Sequence, residues 1–184
     1  MSGLPVLRTE RLLLRPWRDS DLPEFAAHNA DPEVRAYFPG TLSRQDSDAS
    51  AARICGHAER FGYGLWAVEI RGIAEFAGFI GLMNVGFEAH FTPAVEIGWR
   101  LGRRYWGCGY ATEGARAALD FGFGAIGLNE IVSMTPPANR RSWAVMERIG
   151  MTRDPADDFD VPDVPDGPLK RHLLYRIKRA DWKT

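Results

Sequence analysis

The sequence predicts an α/β protein with a mixed, α+β-like sheet, folded as one domain over residues 1–184. Three observations carry the prediction. Helix-like and strand-like stretches follow one another, but several strands succeed each other through short turns, which a purely alternating pattern does not give. Hydrophobic residues make up 45% and charged residues 26%, the balance of a globular core. No internal repeat and no linker divides the 184 residues, a length that suits one core.

RLLLRPW (11–17) reads as a short strand. Asp19 or Ser20 is placed to cap a helix over 20–29. DPEVRAYFPGTLS (31–43) is a proline-bearing loop, and SRQDSDASAARICGHAERFG (43–62) is a second helix stopped by glycine. LWAVEI (65–70) and FAGFIGLMNV (76–85) are two strands joined by a short turn. AVEIGWRL (94–101) is another, with Val95, Ile97, Trp99 and Leu101 on one face and Glu96, Gly98 and Arg100 on the other. ATEGARAALDFGF is helical, with Ala111, Ala115, Ala118 and Leu119 along one stripe. EIVSM (130–134) is a strand broken by Pro136 and Pro137, and RRSWAVMERIG is a helix ended by Gly150. DPADDFDVPDVPDGP (154–168) is an acidic loop, and RHLLYRIKR (171–179) is the last strand.

Composition removes several classes of function. A formal net charge of -1 gives no overall basic field to attract nucleic acid. No apolar run is long enough to span a bilayer, and the N-terminus has no apolar core ahead of a cleavage site. Cys55 and Cys108 lie in no CxxC pair, which fits a reducing compartment, the cytoplasm by default. His28, His57, His90 and His172 are scattered without metal-ligand spacing, so no metal is expected.

The chemistry-bearing stretch is RRYWGCGYATEG (103–114), a basic, glycine-rich turn between a strand and a helix. Glycines let backbone approach a ligand closely, and a helix start presents free N–H groups and a positive dipole end. Together they make an anion site suited to phosphate. Read plainly, a bare GxG is only a tight connection with solvated arginines. A dinucleotide fingerprint is opposed by Thr112 in place of the third glycine and by Glu130 preceding its strand instead of ending it. The turn also lies past the middle of the chain, leaving too few residues for a doubly wound sheet.

Arg104-Tyr-Trp-Gly107-Cys-Gly109, followed by Tyr110-Ala111-Thr112-Glu113, resembles the acyl-CoA pyrophosphate loop of the GNAT superfamily of N-acyltransferases. RTERLLLRPW, DPEVRAYFPG, VEIGWRL, Asn139-Arg-Arg-Ser142 with Arg148-Ile-Gly150-Met151, and HLLYRIKRADW resemble, in order, segments of the branch that holds the ribosomal-protein N-terminal acetyltransferases. The resemblance implies a strongly twisted mixed sheet of about seven strands flanked by about four helices. It also implies that the fourth and fifth strands splay, that pantetheine lies in the gap, and that the acceptor amine enters from the opposite side.

The resemblance further assigns residues. Acetyl-CoA is the co-substrate. The turn, Arg103, Arg104, Trp106, Gly107, Cys108, Gly109, Tyr110, Ala111 and Thr112, would hold its pyrophosphate, and main chain near Trp99 and Leu101 would pair with pantetheine. A backbone N–H there would polarise the thioester carbonyl. Asn139 matches a pantetheine-binding asparagine, and is equally a helix N-cap. Glu96 matches a glutamate that acts as base through water; its other reading is a strand glutamate facing solvent or paired with Arg100. Ser142 would protonate the leaving thiolate, or else is a first-turn helix serine bonded to backbone. Where many relatives carry a tyrosine acid, this chain has Met146. Cys108 is no nucleophile candidate, because its loop faces pyrophosphate and no histidine neighbours it.

On the acceptor side, Tyr37 and Phe38 would line the substrate site with Glu96, or form a hydrophobic plug over the sheet. Asp154, Asp157, Asp158, Asp160, Asp163 and Asp166 would either attract a cationic acceptor or simply be solvated. The expected activity is acetyl transfer to a primary amine, first of all a protein or peptide N-terminus. The alternatives are a small amine (polyamine, amino sugar or antibiotic) and a CoA-binding module without catalysis. A monomer or a homodimer is expected.

Overall fold

Nine strands form one sheet among residues 4–162 and 164–183, the residues that the computed structural model describes. They are β1 (Leu7–Arg8), β2 (Leu12–Arg15), β3 (Leu65–Ile70), β4 (Ala74–Asn84), β5 (Val95–Leu101), β6 (Glu130–Thr135), β7 (Thr152–Arg153), β8 (Phe159–Asp160) and β9 (Arg171–Lys178). The order is β1-β2-β3-β4-β5-β6-β9-β7, with β8 on β9. Every pairing is antiparallel except β5 with β6. The count exceeds seven because β1, β7 and β8 are two residues each, too short to leave a periodic signal. β8 lies inside the stretch expected to be pure loop.

Four helices flank the sheet, as expected: α1 (Leu22–Ala30), α2 (Arg44–Phe61), α3 (Tyr110–Gly124) and α4 (Arg140–Arg148). α1 starts two residues later than the capping pattern predicts. Asp21 is spoken for: its carboxylate accepts from Arg15 at 2.7 and 2.8 Å and from the Arg18 N–H, and Asp19–Asp21 form a short 3-10 turn. α2 follows the sequence signals, with Ser43 accepting from the Asp46 N–H and Gly62 closing the helix at φ 74°.

The alternation of β5 decides what faces what. Ile97 and Leu101 sit in the core beneath α3, with Ile80, Leu82, Leu119 and Ile131, and Val95 and Trp99 pack against it. The other sheet face is covered by α1 and α2 through Phe25, Ala51, Ile54 and Phe76, with Phe79 and Met83 alongside. Glu96, Gly98 and Arg100 turn toward that second face, as the sequence predicts. No described helix is long and apolar enough to cross a membrane.

Candidate active site

The turn between β5 and α3 is shaped by two left-handed glycines, Gly107 at φ 76° and Gly109 at φ 83°. Other L-residues pay about 1–2 kcal/mol for that backbone region. A Cβ on Gly107 would meet nothing within 4 Å, so the turn is open outward. α3 begins at Tyr110 with no side chain capping Gly109. Among the described residues, none of the N–H groups from Gly107 to Thr112 finds a protein acceptor. Unpaired donors at the positive end of a 15-residue helix fit the pyrophosphate of acetyl-CoA.

Side chains from the chain's start hold this turn. Arg11 donates to the Cys108 carbonyl at 2.9 Å and to Glu113 at 2.7 Å, and its guanidinium lies 4.6 Å from the centre of the Tyr110 ring. Glu113 also accepts from the Thr9 hydroxyl and the Arg11 N–H, at 2.6 and 2.8 Å. These donors outweigh the effect of burial and hold its carboxyl below the usual carboxylate range. Sequence reading missed Arg11, although it sits in RTERLLLRPW. Arg103 and Arg104, expected over the pyrophosphate, are tied to the α1 side instead: Arg103 pairs with Glu33, and Arg104 with Glu24 at 2.5 Å.

The gap between β5 and β6 is present. The two strands share only one register pair, Glu96 with Val132. On the β4 side, the Val85 N–H donates to Ala94 and the Gly102 N–H to Ala77. Antiparallel alternation then turns the main-chain groups of Ile97, Trp99 and Leu101 toward the gap. Ser133 closes the deep end by donating to the Ile97 carbonyl at 2.9 Å, and the Trp106 indole takes the Leu101 carbonyl at 2.8 Å. Trp99 is thus left with its main chain free toward the gap, and Leu101 with its N–H.

Glu96 stands on the second face with no ion pair among the described residues, so its expected alternative partner, Arg100, is not one. Loss of hydration pushes its carboxyl up to about 7, offset in part by the Met134 backbone. Asn139 is the α4 cap, accepting from the Ser142 N–H at 3.4 Å while donating to Thr135 at 2.9 Å. Its amide oxygen and one of its two N–H groups are therefore engaged. The Ser142 hydroxyl is half-buried and has no partner among the described residues. Met146 is fully buried in the core, so no acid stands there.

The loop between α1 and α2 reaches across the site. The Tyr37 hydroxyl donates to the Ala138 carbonyl at 3.1 Å, one residue before the α4 cap. Phe38, 40% exposed, has two guanidiniums near its ring, that of Arg35 at 4.9 Å and that of Arg100 at 5.2 Å. The acidic loop, by contrast, spends its charge on the chain itself. Asp157 pairs with Arg176 at 2.7 Å, Asp158 with Arg153, Asp160 with Arg171 at 3.3 Å and Asp166 with Lys170 at 2.7 Å, and Asp154 caps the turn at Pro155. Asp163 lies outside the described residues. Among the described residues no cluster of His, Cys, Asp or Glu could hold a metal.

Comparison with known proteins agrees with this geometry. The family description "Acetyltransferase (GNAT) domain" matches residues 11–152. An "FsC-acetyl coenzyme A-N(2)-transacetylase" of Aspergillus fumigatus is 33% identical over 190 residues, covering 97% of this chain and 78% of its own. A solved acetyltransferase from Agrobacterium tumefaciens is 32% identical at a TM-score of 0.74, covering 95% of this chain and 94% of that one. The ribosomal-protein-S5-alanine acetyltransferase from Vibrio fischeri shares the fold at a TM-score of 0.75 and 17% identity, covering 98% and 100%.

Proposed function

The chain belongs to the GNAT acetyltransferases and is an acetyl-CoA-dependent N-acetyltransferase; from that premise we propose that its acceptor is an α-amine, the N-terminus of a protein or peptide, acetylated by direct transfer in a ternary complex. The carrying observation is the carboxyl of Glu96, raised to about 7 on the sheet face opposite α3. Handing a proton from an α-ammonium near 8 to such a carboxylate costs about 1 kcal/mol, whereas a lysine near 10.4 costs about 5. With this base, as with any other, the α-amine is the easier acceptor by the difference between the two amines.

Placement supports the following roles. The free N–H groups of Gly107–Thr112 hold the pyrophosphate of acetyl-CoA. The gap-facing main chain at Trp99 and Leu101 pairs with its pantetheine arm, and a gap-facing N–H of β5 polarises the thioester carbonyl. Glu96 takes the amine proton through a water molecule. The Ser142 hydroxyl, free of other partners among the described residues, hydrogen-bonds the departing thiolate. Tyr37 and Phe38 line the acceptor entrance.

The test is an acceptor panel read by free-thiol release: peptides with a free α-amine, peptides whose α-amine is blocked and whose lysine is free, and small amines. Turnover on the first group alone is expected; turnover confined to lysine peptides would sink the α-amine reading. A second reading, a small-molecule amine, is favoured by the 33%-identical relative whose name is an N(2)-transacetylase. Turnover confined to small amines would select it.

A further inference from the structure

Resting on the acetyltransferase reading, we propose that Arg100 and Arg35 form a carboxylate site on the acceptor side, so that the amine acceptor also carries a carboxylate. The site is new to the sequence reading, which saw Arg100 only as a partner for Glu96. It stands on three observations.

The first is charge accounting. Arg35 is 8% exposed and Arg100 is half-buried, yet neither lies within ion-pair distance of a carboxylate among the described residues. Every other described arginine is either exposed or ion-paired: even the fully buried Arg15 has Asp21 and Glu69. The nearby acids are already committed, Glu24 to Arg104 and His28, Glu33 to Arg103, and the Asp31 carboxylate to the Glu33 and Val34 N–H groups. A desolvated cation without a counter-ion is costly to keep, which marks such a group as a candidate for binding an anion.

The second is geometry. The Arg100 guanidinium is walled by aromatic rings, with its central carbon 4.8 Å from the Phe79 centroid, 5.2 Å from Phe38 and 5.5 Å from Phe25. Arg35 flanks the same Phe38 ring at 4.9 Å and is steadied by its Nε donating to the Gly40 carbonyl at 2.5 Å. Loss of hydration, with the neighbouring Arg35 charge, drops the Arg100 guanidinium to about 9. Two like charges around one ring repel until an anion is seated between them. Planar guanidiniums match a carboxylate through paired N–H donors.

The third is alignment with the reacting end. Glu96, Gly98 and Arg100 occupy one face of β5, and a Cβ at Gly98 would meet nothing within 4 Å. The surface above Gly98, midway between the proposed base and the guanidinium, is therefore open. The two Cα atoms are about 13 Å apart along the strand. An amine at Glu96 and a carboxylate at Arg100 are then separated by the span of a short peptide, not by the single carbon of an amino acid.

The test uses peptides with a free α-amine and one Asp at position two, three or four, each matched with its Asn counterpart. We expect kcat/KM to favour Asp over Asn at least tenfold at one position, and Arg100→Met to collapse that ratio toward one. Arg35→Met should reduce it partly, and Arg100→Lys, which keeps charge but not the fork, should restore little. A matched ω-amino carboxylic acid and its amide form a parallel arm. If only that arm turns over, the peptide reading fails and the carboxylate ratio is judged there. Independently of turnover, the side-chain Nε–H NMR signals of Arg100 and Arg35 should move on titration with the Asp peptide and not with the Asn peptide. Turnover with equal ratios in wild type and variant, unmoved arginine signals, or stronger selection for a phosphoserine peptide would each overturn the carboxylate site.

Discussion

The two sides of β5 are built from different materials. At its end, the turn into α3 is a backbone device: free N–H groups, two left-handed glycines and a helix start. Its neighbouring charges, Arg103, Arg104 and Arg11, are all neutralised by acids of the chain. Along its face toward α1 and α2, the proposed acceptor side is a side-chain device, with Glu96, Arg100 and Arg35 lacking such compensation among the described residues. The difference teaches what each side recognises. On the proposed reading, the co-substrate common to the family is held by groups that substitution scarcely alters, while the variable acceptor is met by side chains held at an electrostatic cost.

Breaking the acceptor side at its base should have the largest effect. Glu96→Gln is expected to lower kcat by about a hundredfold or more, the scale of lost general-base catalysis, with acetyl-CoA affinity by calorimetry within twofold of wild type. In the wild type, kcat/KM should climb with pH through about 7 as Glu96 ionises; a flat profile there would remove it as the base. The same group makes a stability prediction. Its folded value of about 7 lies above its ordinary 4.5, so the folded chain keeps a proton that the unfolded chain releases. Stability should therefore fall as pH rises from about 4.5 to 7, by at most about 3 kcal/mol. Urea unfolding at the two ends of that window should show the loss in wild type and its absence in Glu96→Gln.

The turn is broken differently. Gly109→Val places a branched side chain at φ 83°, and its Cβ would lie 3.3 Å from the Arg11 guanidinium. The expected loss is at least tenfold in acetyl-CoA affinity, from strain of about 1–2 kcal/mol and a displaced turn. Turnover at saturating acetyl-CoA should be affected less than by Glu96→Gln. If affinity holds, the turn does not carry the pyrophosphate.

The same contrast explains what the sequence made legible. The strand faces of β5 and the α3 stripe were readable because alternation and helical spacing repeat along the chain. The turn was readable because glycines and a helix start lie side by side. Arg11 was missed because its work, holding Cys108 and Glu113, spans about a hundred residues of chain. Arg103 and Arg104 were assigned to phosphate because sequence shows a cation's neighbours along the chain and not across space, where Glu33 and Glu24 wait. Arg35 and Arg100 gave no signal either, since an uncompensated charge is defined by which acids fail to reach it.

The α4 start sharpens the comparison, because there the two materials meet. Ser142→Ala is expected to lower turnover about tenfold, by removing a hydroxyl that has no other partner among the described residues, with acetyl-CoA affinity intact. Thermal unfolding should be unmoved, because the helix bond at this residue is made by its N–H. A silent Ser142→Ala would return the thiolate's proton to solvent.

Asn139→Ala should have the smallest effect, and mainly on stability. The side chain caps α4 through the Ser142 N–H and donates to Thr135, so its removal should cost about 1 kcal/mol. With the oxygen and one of its two N–H groups engaged, the amide has one N–H left for pantetheine, and acetyl-CoA affinity should change less than threefold. Asn139→Asp keeps the capping oxygen but loses the donor to Thr135, and should recover about half the lost stability. If Asn139→Ala instead weakens acetyl-CoA binding tenfold with no loss of stability, the residue serves the ligand and not the helix. The backbone account of the acetyl-CoA side would then have to admit a side chain.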